Sequence, residues 1–101
     1  MTSEVFALKQ MHCVLSYDIT DSSRRRKLAR LLEGYGLRIQ YSLFEGFLSS
    51  GQIKKVVHES ARFIKASEGD SLRIYCLCSA CYPKAFSIGG LVPDWERAVI
   101  V

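Results

Sequence analysis

Two adjacent segments decide the fold of this chain: HCVLSYD at residues 12–18 and DSSRRRKLARLL at residues 21–32. The first is short and mainly apolar and ends at Asp18, which predicts a buried β-strand. The second begins at Asp21, a residue type favoured at helix starts, and repeats leucine at helical spacing. A buried strand therefore leads almost directly into a helix.

The residues from 37 to 64 predict a hairpin and a second helix. Residues 37–48 are rich in aromatic and β-branched side chains, which favours two strands that reverse direction near residues 40–42. Ser49 and Ser50 are suitable caps for an amphipathic helix, whose apolar positions continue to Ile64.

The remaining pattern completes the domain. A turn at residues 69–70 leads into a strand over residues 72–78, and a short apolar strand ends the chain at residues 98–101. The order βαββαβ predicts an α+β, ferredoxin-like domain, an antiparallel sheet with both helices on one face. Residues 1–10 are predicted to be an N-terminal extension, and residues 11–101 to be the domain.

Composition is that of an ordinary globular protein. The 101 residues are 49% hydrophobic and 24% charged. No apolar run approaches the roughly 20 residues that cross a bilayer, and the start has no signal-peptide pattern. We therefore expect a cytoplasmic protein that does not contact a membrane. A domain this short buries a modest fraction of its surface, which favours a partner subunit.

Asp18 is a candidate metal ligand because it ends a buried strand and opens the loop before the helix. A turn or capping aspartate is the alternative. Five basic residues follow in the helix: Arg24, Arg25, Arg26, Lys27 and Arg30. The positive end of the helix dipole disfavours each nearby cation by up to about 1 kcal/mol, so their concentration there indicates a phosphate ligand. A solvated charged face is the other interpretation.

A single carboxylate is a poor magnesium site. Mg²⁺ takes six oxygen ligands and commonly uses one or two carboxylates with waters and phosphate oxygens. A two-fold symmetric dimer would bring a second Asp18 into the same cleft. Such a metal would activate a water and neutralise charge on a scissile phosphate.

The cysteines offer a different chemistry. Cys76, Cys78 and Cys81 form C-x-C-x-x-C, and C-x-x-C is half of a zinc site or a redox pair. The sequence lacks a second pair of this kind, and neither His12 nor His58 has metal-site spacing. Incidental thiols in a reducing compartment are the simpler interpretation.

Three segments with compatible spacing are SYDITD with RRRKL at residues 16–28, GLRIQYSLFE at residues 36–45, and DSLRIY with the cysteine loop at residues 70–81. Together they resemble the small CRISPR-associated endonuclease subunit of the spacer-acquisition machinery. The resemblance runs from Met11 nearly to the end of the chain.

The resemblance implies a homodimer whose terminal strands extend the partner's sheet, with Mg²⁺ (or Mn²⁺) bound by Asp18 of each protomer. The resemblance also assigns less specific roles, in the cleft or in contact with the nucleic-acid backbone, to five residues: Tyr17, Arg25, Lys27, Arg38 and Phe44. Some members of the family have been assigned metal-dependent cleavage of single-stranded RNA or double-stranded DNA, and others serve as a non-catalytic bridge between integrase subunits.

We therefore expect a metal-dependent endonuclease of RNA or DNA that acts with an integrase in spacer acquisition. The expected catalytic residues are Asp18, Tyr17, Arg25 and Arg38. The expected nucleic-acid-binding residues are Arg24, Arg25, Arg26, Lys27, Arg30 and Arg38. A non-catalytic, DNA-binding homodimeric adaptor between integrase subunits is the alternative, and a toxin ribonuclease of the same fold, unconnected with CRISPR, is a third hypothesis.

Overall fold

The central strand, β1 (Gln10–Asp18), organises the sheet in a computed structural model that describes residues 10–78, 81–84 and 88. It pairs antiparallel with β3 (Leu43–Ser49) on one side and with β4 (Ser71–Leu77) on the other. The short strand β2 (Leu37–Gln40) pairs with β3, which gives the order β2-β3-β1-β4. The end of β1 therefore lies beside the start of β4.

Two helices connect these strands, and their caps are those predicted from the sequence. Helix α1 (Ser22–Leu32) begins after Asp21, whose carboxylate accepts a hydrogen bond from the Arg24 N–H at 2.8 Å. Helix α2 (Ser50–Ser60) begins after Ser49, which forms a reciprocal capping box with Gln52. Short polar side chains thus satisfy backbone donors that the first turn of a helix leaves free.

Alternation along β1 places every second side chain on the face that carries the helices. Both helices and β3 contribute to the core on that face, whose fully buried hydrophobic members are Cys13, Leu15, Leu28, Leu32, Phe44, Leu48 and Val56. The predicted α+β, ferredoxin-like fold is confirmed, with both helices on one side of an antiparallel sheet.

The apolar pattern overestimates the length of the second helix. Helix α2 ends at Ser60, and Ala61–Phe63 forms a 3₁₀ turn. Val57 is half-exposed because it faces a cavity between α2 and β4. Strand β4 begins and ends one residue earlier than predicted.

Some predicted segments fall outside this description. The predicted strand at residues 98–101 lies outside the described residues, as does the predicted N-terminal extension apart from Gln10, which begins β1. Among the described residues, no helix is long and apolar enough to cross a membrane.

Two glycines allow the chain to cross closely over β3 where it enters β2. A Cβ on Gly46 would lie 2.5 Å from the carbonyl oxygen of Tyr35, and a Cβ on Gly36 would lie 2.6 Å from that of Glu45. Any side chain would therefore force the two backbones apart. This close approach sets the position of β2 and of Arg38, which β2 carries.

Candidate active site

Asp18 is exposed at the end of β1 and lies opposite Ser71 of β4. Its neighbours Tyr17 and Ile19 are each 3% exposed. Adjacent residues of an extended chain point to opposite faces, so burial of Tyr17 and Ile19 turns the Asp18 carboxylate away from the core. Asp18 therefore ends the first strand, as the sequence predicted, with its carboxylate accessible, and its role as a metal ligand stays a prediction.

Asp70, which the sequence presented only as a turn residue, anchors the loop that follows Asp18. Its buried carboxylate accepts hydrogen bonds from the Thr20 N–H at 3.2 Å, the Arg24 guanidinium at 2.8 Å and the Lys65 N–H at 3.0 Å. The Lys65 N–H, and then the Arg24 and Thr20 groups, lower the pKa of Asp70 to about 2. Asp70 thus joins the end of β1, the start of α1 and the entry to β4.

The predicted basic cluster of α1 points in several directions. Arg24 forms ion pairs with Asp70 at 2.8 Å and with Glu68 at 3.0 Å, and these partners raise the pKa of the Arg24 guanidinium. Arg25 instead donates to the carbonyl oxygens of Ile19 at 3.0 Å and Thr20 at 3.5 Å. Arg25 therefore contacts the backbone that directly follows Asp18.

Arg38, carried by β2, contacts the other chain neighbour of Asp18, which is Tyr17. Its guanidinium donates twice to the carbonyl oxygen of Tyr41, from Nε at 3.0 Å and from Nη2 at 2.7 Å. The Tyr17 hydroxyl donates to that carbonyl at 2.8 Å and accepts from Arg38 Nη2 at 3.4 Å. Tyr17, which the sequence left undecided between core and cleft, is packed in the core and holds the hairpin turn with its hydroxyl.

An aromatic ring supports this arrangement. The Arg38 guanidinium carbon lies 5.6 Å from the centroid of the Phe44 ring, and the Tyr17 and Phe44 centroids are 6.3 Å apart. A cation over an aromatic face is attracted by the ring quadrupole. Phe44 is fully buried, so the structure places it beneath Arg38 and away from the surface.

Four arginines predicted to bind nucleic acid share one cavity. Arg25, Arg26, Arg30 and Arg38 line a volume of about 230 Å³, together with Ala29 and Glu33. Lys27 lines a different cavity, which opens towards Arg62 and Phe63. The structure therefore concentrates positive charge between α1 and β2, a suitable surface for a polyanion.

Asp18 fits a magnesium ion only if oxygen atoms from elsewhere complete the coordination. Within residues 10–78, 81–84 and 88, no three His, Cys, Asp or Glu side chains are grouped so as to hold a metal ion. One exposed carboxylate is nevertheless suitable for Mg²⁺, which keeps several waters and binds phosphate oxygens.

Known proteins match both the sequence and the fold. The family model of CRISPR associated protein Cas2 matches residues 11–85. The CRISPR-associated endoribonuclease Cas2 1 of Chloroflexus aurantiacus is 44% identical over 92 residues, covering 90% of this chain and 99% of that protein.

Solved structures agree with these matches. A hypothetical protein from Thermus thermophilus has a TM-score of 0.73 at 32% identity, covering 84% of this chain and 99% of that chain. A chain of a partial Cas6-RT-Cas1–Cas2 complex has a TM-score of 0.63 at 30% identity, covering 77% of this chain and 90% of that chain. The match to the family includes Asp18 and all the basic residues of α1, and the chain therefore belongs to the CRISPR-associated Cas2 family.

Proposed function

We propose that this chain is a metal-dependent endonuclease subunit of CRISPR spacer acquisition, which hydrolyses phosphodiester bonds of RNA or DNA. One observation carries the proposal: Asp18 is exposed at the end of β1, and arginines contact both of its chain neighbours, Arg25 at the Ile19 carbonyl and Arg38 at the Tyr17 hydroxyl. An exposed carboxylate whose chain neighbours are contacted by arginines suits a metal-bridged phosphate.

The relatives support the same reaction and setting. The Chloroflexus aurantiacus relative is named an endoribonuclease, which favours RNA as a substrate. The similar chain from the partial Cas6-RT-Cas1–Cas2 complex belongs to an assembly with Cas1, which favours an integrase as partner.

Each residue then has a distinct task. Asp18 would hold Mg²⁺ (or Mn²⁺), which would supply an activated water and neutralise charge on the scissile phosphate. Arg25, Arg26, Arg30 and Arg38 would bind phosphate oxygens along the cavity that they line. Tyr17 acts through Arg38 and is a positioning residue, because its hydroxyl is already committed to the Tyr41 carbonyl.

We further propose that the active species is a homodimer. Among the residues that the structure describes, Asp18 is the one carboxylate that we assign to this site, whereas Mg²⁺ takes six oxygen ligands. A two-fold axis near Asp18 would supply the second carboxylate.

Cleavage of labelled single-stranded RNA and double-stranded DNA, with and without Mg²⁺, tests the proposal. Asp18→Asn should reduce cleavage about 100-fold or more, the scale on which removal of one electrostatic stabiliser acts. Glu68→Gln is the matched control, because it makes the same chemical change at an exposed carboxylate that pairs with Arg24. Cleavage that survives Asp18→Asn unchanged would refute the assignment.

The arginine cavity also favours a second function, a non-catalytic adaptor that holds DNA for an integrase. Arg26 and Arg30 are exposed on this cavity, and phosphate contacts give affinity without sequence readout. The double variant Arg26→Gln/Arg30→Gln should lower the slope of log affinity against log salt by about 1.8, or about 0.9 for each lost contact.

Spacer-acquisition assays separate the two functions. If the chain is an adaptor, spacer acquisition should continue with Asp18→Asn and stop when Arg26 and Arg30 are neutralised. If its nuclease activity is essential, spacer acquisition should stop with either change. Lys54→Gln/Lys55→Gln removes the same charge from exposed positions of α2 and is the control. Equal DNA affinity of the arginine and lysine variants would contradict any role for the arginine cavity.

A further inference from the structure

The sheet places two cysteines from distant parts of the chain in direct contact. Cys13 in β1 and Cys76 in β4 are opposite each other in the antiparallel register, and their Sγ atoms are 2.9 Å apart. They are 63 positions apart in the sequence. Directly opposed residues of antiparallel strands have Cα separations of about 4.5–5.5 Å, inside the range that a disulfide spans.

The two thiols differ in their surroundings. Cys13 is fully buried, and burial, followed by the hydrogen bond with Cys76, raises the pKa of the Cys13 thiol to about 12. Cys76 is exposed and lines the apolar cavity of about 480 Å³ between α2 and β4. A small oxidant therefore reaches Cys76 first, and Cys13 is positioned behind it.

We propose that Cys13 and Cys76 are a modification site: a hydroperoxide oxidises them to a reversible disulfide that joins β1 to β4 covalently. The Cys76 thiolate attacks one peroxide oxygen, the O–O bond breaks, and the leaving oxygen departs as water after protonation. Cys13 then attacks the Cys76 sulfur, an S–S bond forms, the S–O bond breaks, and a second water leaves. Two thiols lose two electrons and two protons, and hydrogen peroxide becomes two waters.

A second thiol pair lies close by in the sequence and must be distinguished. The Cys81 N–H donates to the Cys78 carbonyl at 3.0 Å in a tight turn, and the Cys78 side chain raises the pKa of the Cys81 thiol. Both of these cysteines are exposed. Oxidation of the unmodified chain alone would therefore not identify which pair had reacted.

The experiment uses the full chain carrying Cys78→Ser/Cys81→Ser, which retains only Cys13 and Cys76. After treatment with hydrogen peroxide and quenching, free thiols are counted in denaturant and peptides are mapped by mass spectrometry. We expect the thiol count to fall from two to zero, a linked Cys13–Cys76 peptide, and a raised unfolding temperature that a dithiol reductant reverses.

Two controls keep the result specific. Adding Cys76→Ser should leave a single thiol and no linked peptide, and adding Cys13→Ala instead should give sulfenic or higher acids at Cys76. Oxidation of the parent variant to sulfinic acid without a linked peptide would overturn the proposal, as would a link between two chains. In the unmodified chain, a Cys78–Cys81 link that forms while Cys13 and Cys76 stay reduced would also overturn it.

Discussion

Replacing Gly46 with alanine should destabilise the domain by about 2–3 kcal/mol, because the new methyl group has nowhere to go. Its Cβ would lie 2.5 Å from the Tyr35 oxygen, 3.0 Å from the Gly36 Cα and 3.4 Å from the Tyr35 carbonyl carbon. Ordinary contacts of this kind begin near 3.4 Å, so the shortest contact is 3.4 − 2.5 = 0.9 Å too close. Overpacking costs about 1–3 kcal/mol, and backbone neighbours that cannot rotate away favour the upper part of that range.

Thermal unfolding followed by circular dichroism measures the effect. In domains of about this size, 1 kcal/mol shifts the melting temperature by about 4–8 °C, so Gly46→Ala should lower it by about 10–20 °C. Gly51→Ala is the control, because the nearest atom to its Cβ, Ser49 Oγ, is 4.0 Å away and alanine is the better helix former by up to about 1 kcal/mol. Gly51→Ala should therefore raise the melting temperature. A Gly46→Ala protein as stable as the unmodified chain would refute the close approach of β3 to the entry of β2.

Three further changes test the site and its supports. Asp70→Asn should lower the free energy of unfolding at pH values above about 4. Because the folded pKa of Asp70 is lowered to about 2, this loss should shrink as the pH falls towards 2. Urea unfolding at several pH values measures it. A pH-independent cost would contradict the ion pair. Tyr17→Phe should lower the free energy of unfolding by about 1 kcal/mol in denaturant, since the Tyr41 carbonyl keeps both hydrogen bonds from Arg38. A loss above about 3 kcal/mol would contradict this sharing of the Tyr41 carbonyl. Ser49→Ala should cost about 1 kcal/mol through loss of the capping box, and an equal cost for Ser50→Ala would contradict it.

The helices and strands were predictable because their signals are local. Asp21 and Ser49 each cap a helix within three residues of themselves, and the mainly apolar run of β1 is visible in seven consecutive letters. The predicted end of α2 was wrong because the apolar stripe continues through Ala61, where the backbone has already changed to a 3₁₀ turn. Periodicity records which side chains are buried and does not fix the hydrogen-bonding pattern that places them there.

The site was predictable only where neighbours in sequence are neighbours in space. Asp18 follows from the strand that it ends, but the partner that makes Arg24 part of an ion pair is Asp70, 46 positions further along the chain. The run of basic residues looks like a single patch in the sequence, yet about 100° of helical rotation per residue sends Arg24 and Arg25 to different partners. The contact of Cys13 with Cys76 likewise depends on the register of β1 and β4, which no local pattern encodes.

The hydrogen bond from the Thr20 amide to Asp70 has a consequence for dynamics. Thr20 lies two residues after Asp18, and its acceptor is 50 positions away at the entry to β4. Its amide proton is therefore shielded from exchange with solvent only while that entry is docked against the end of β1. The exchange rate of this one proton reports how often the loop beside Asp18 opens, and it can be read without substrate, metal or partner.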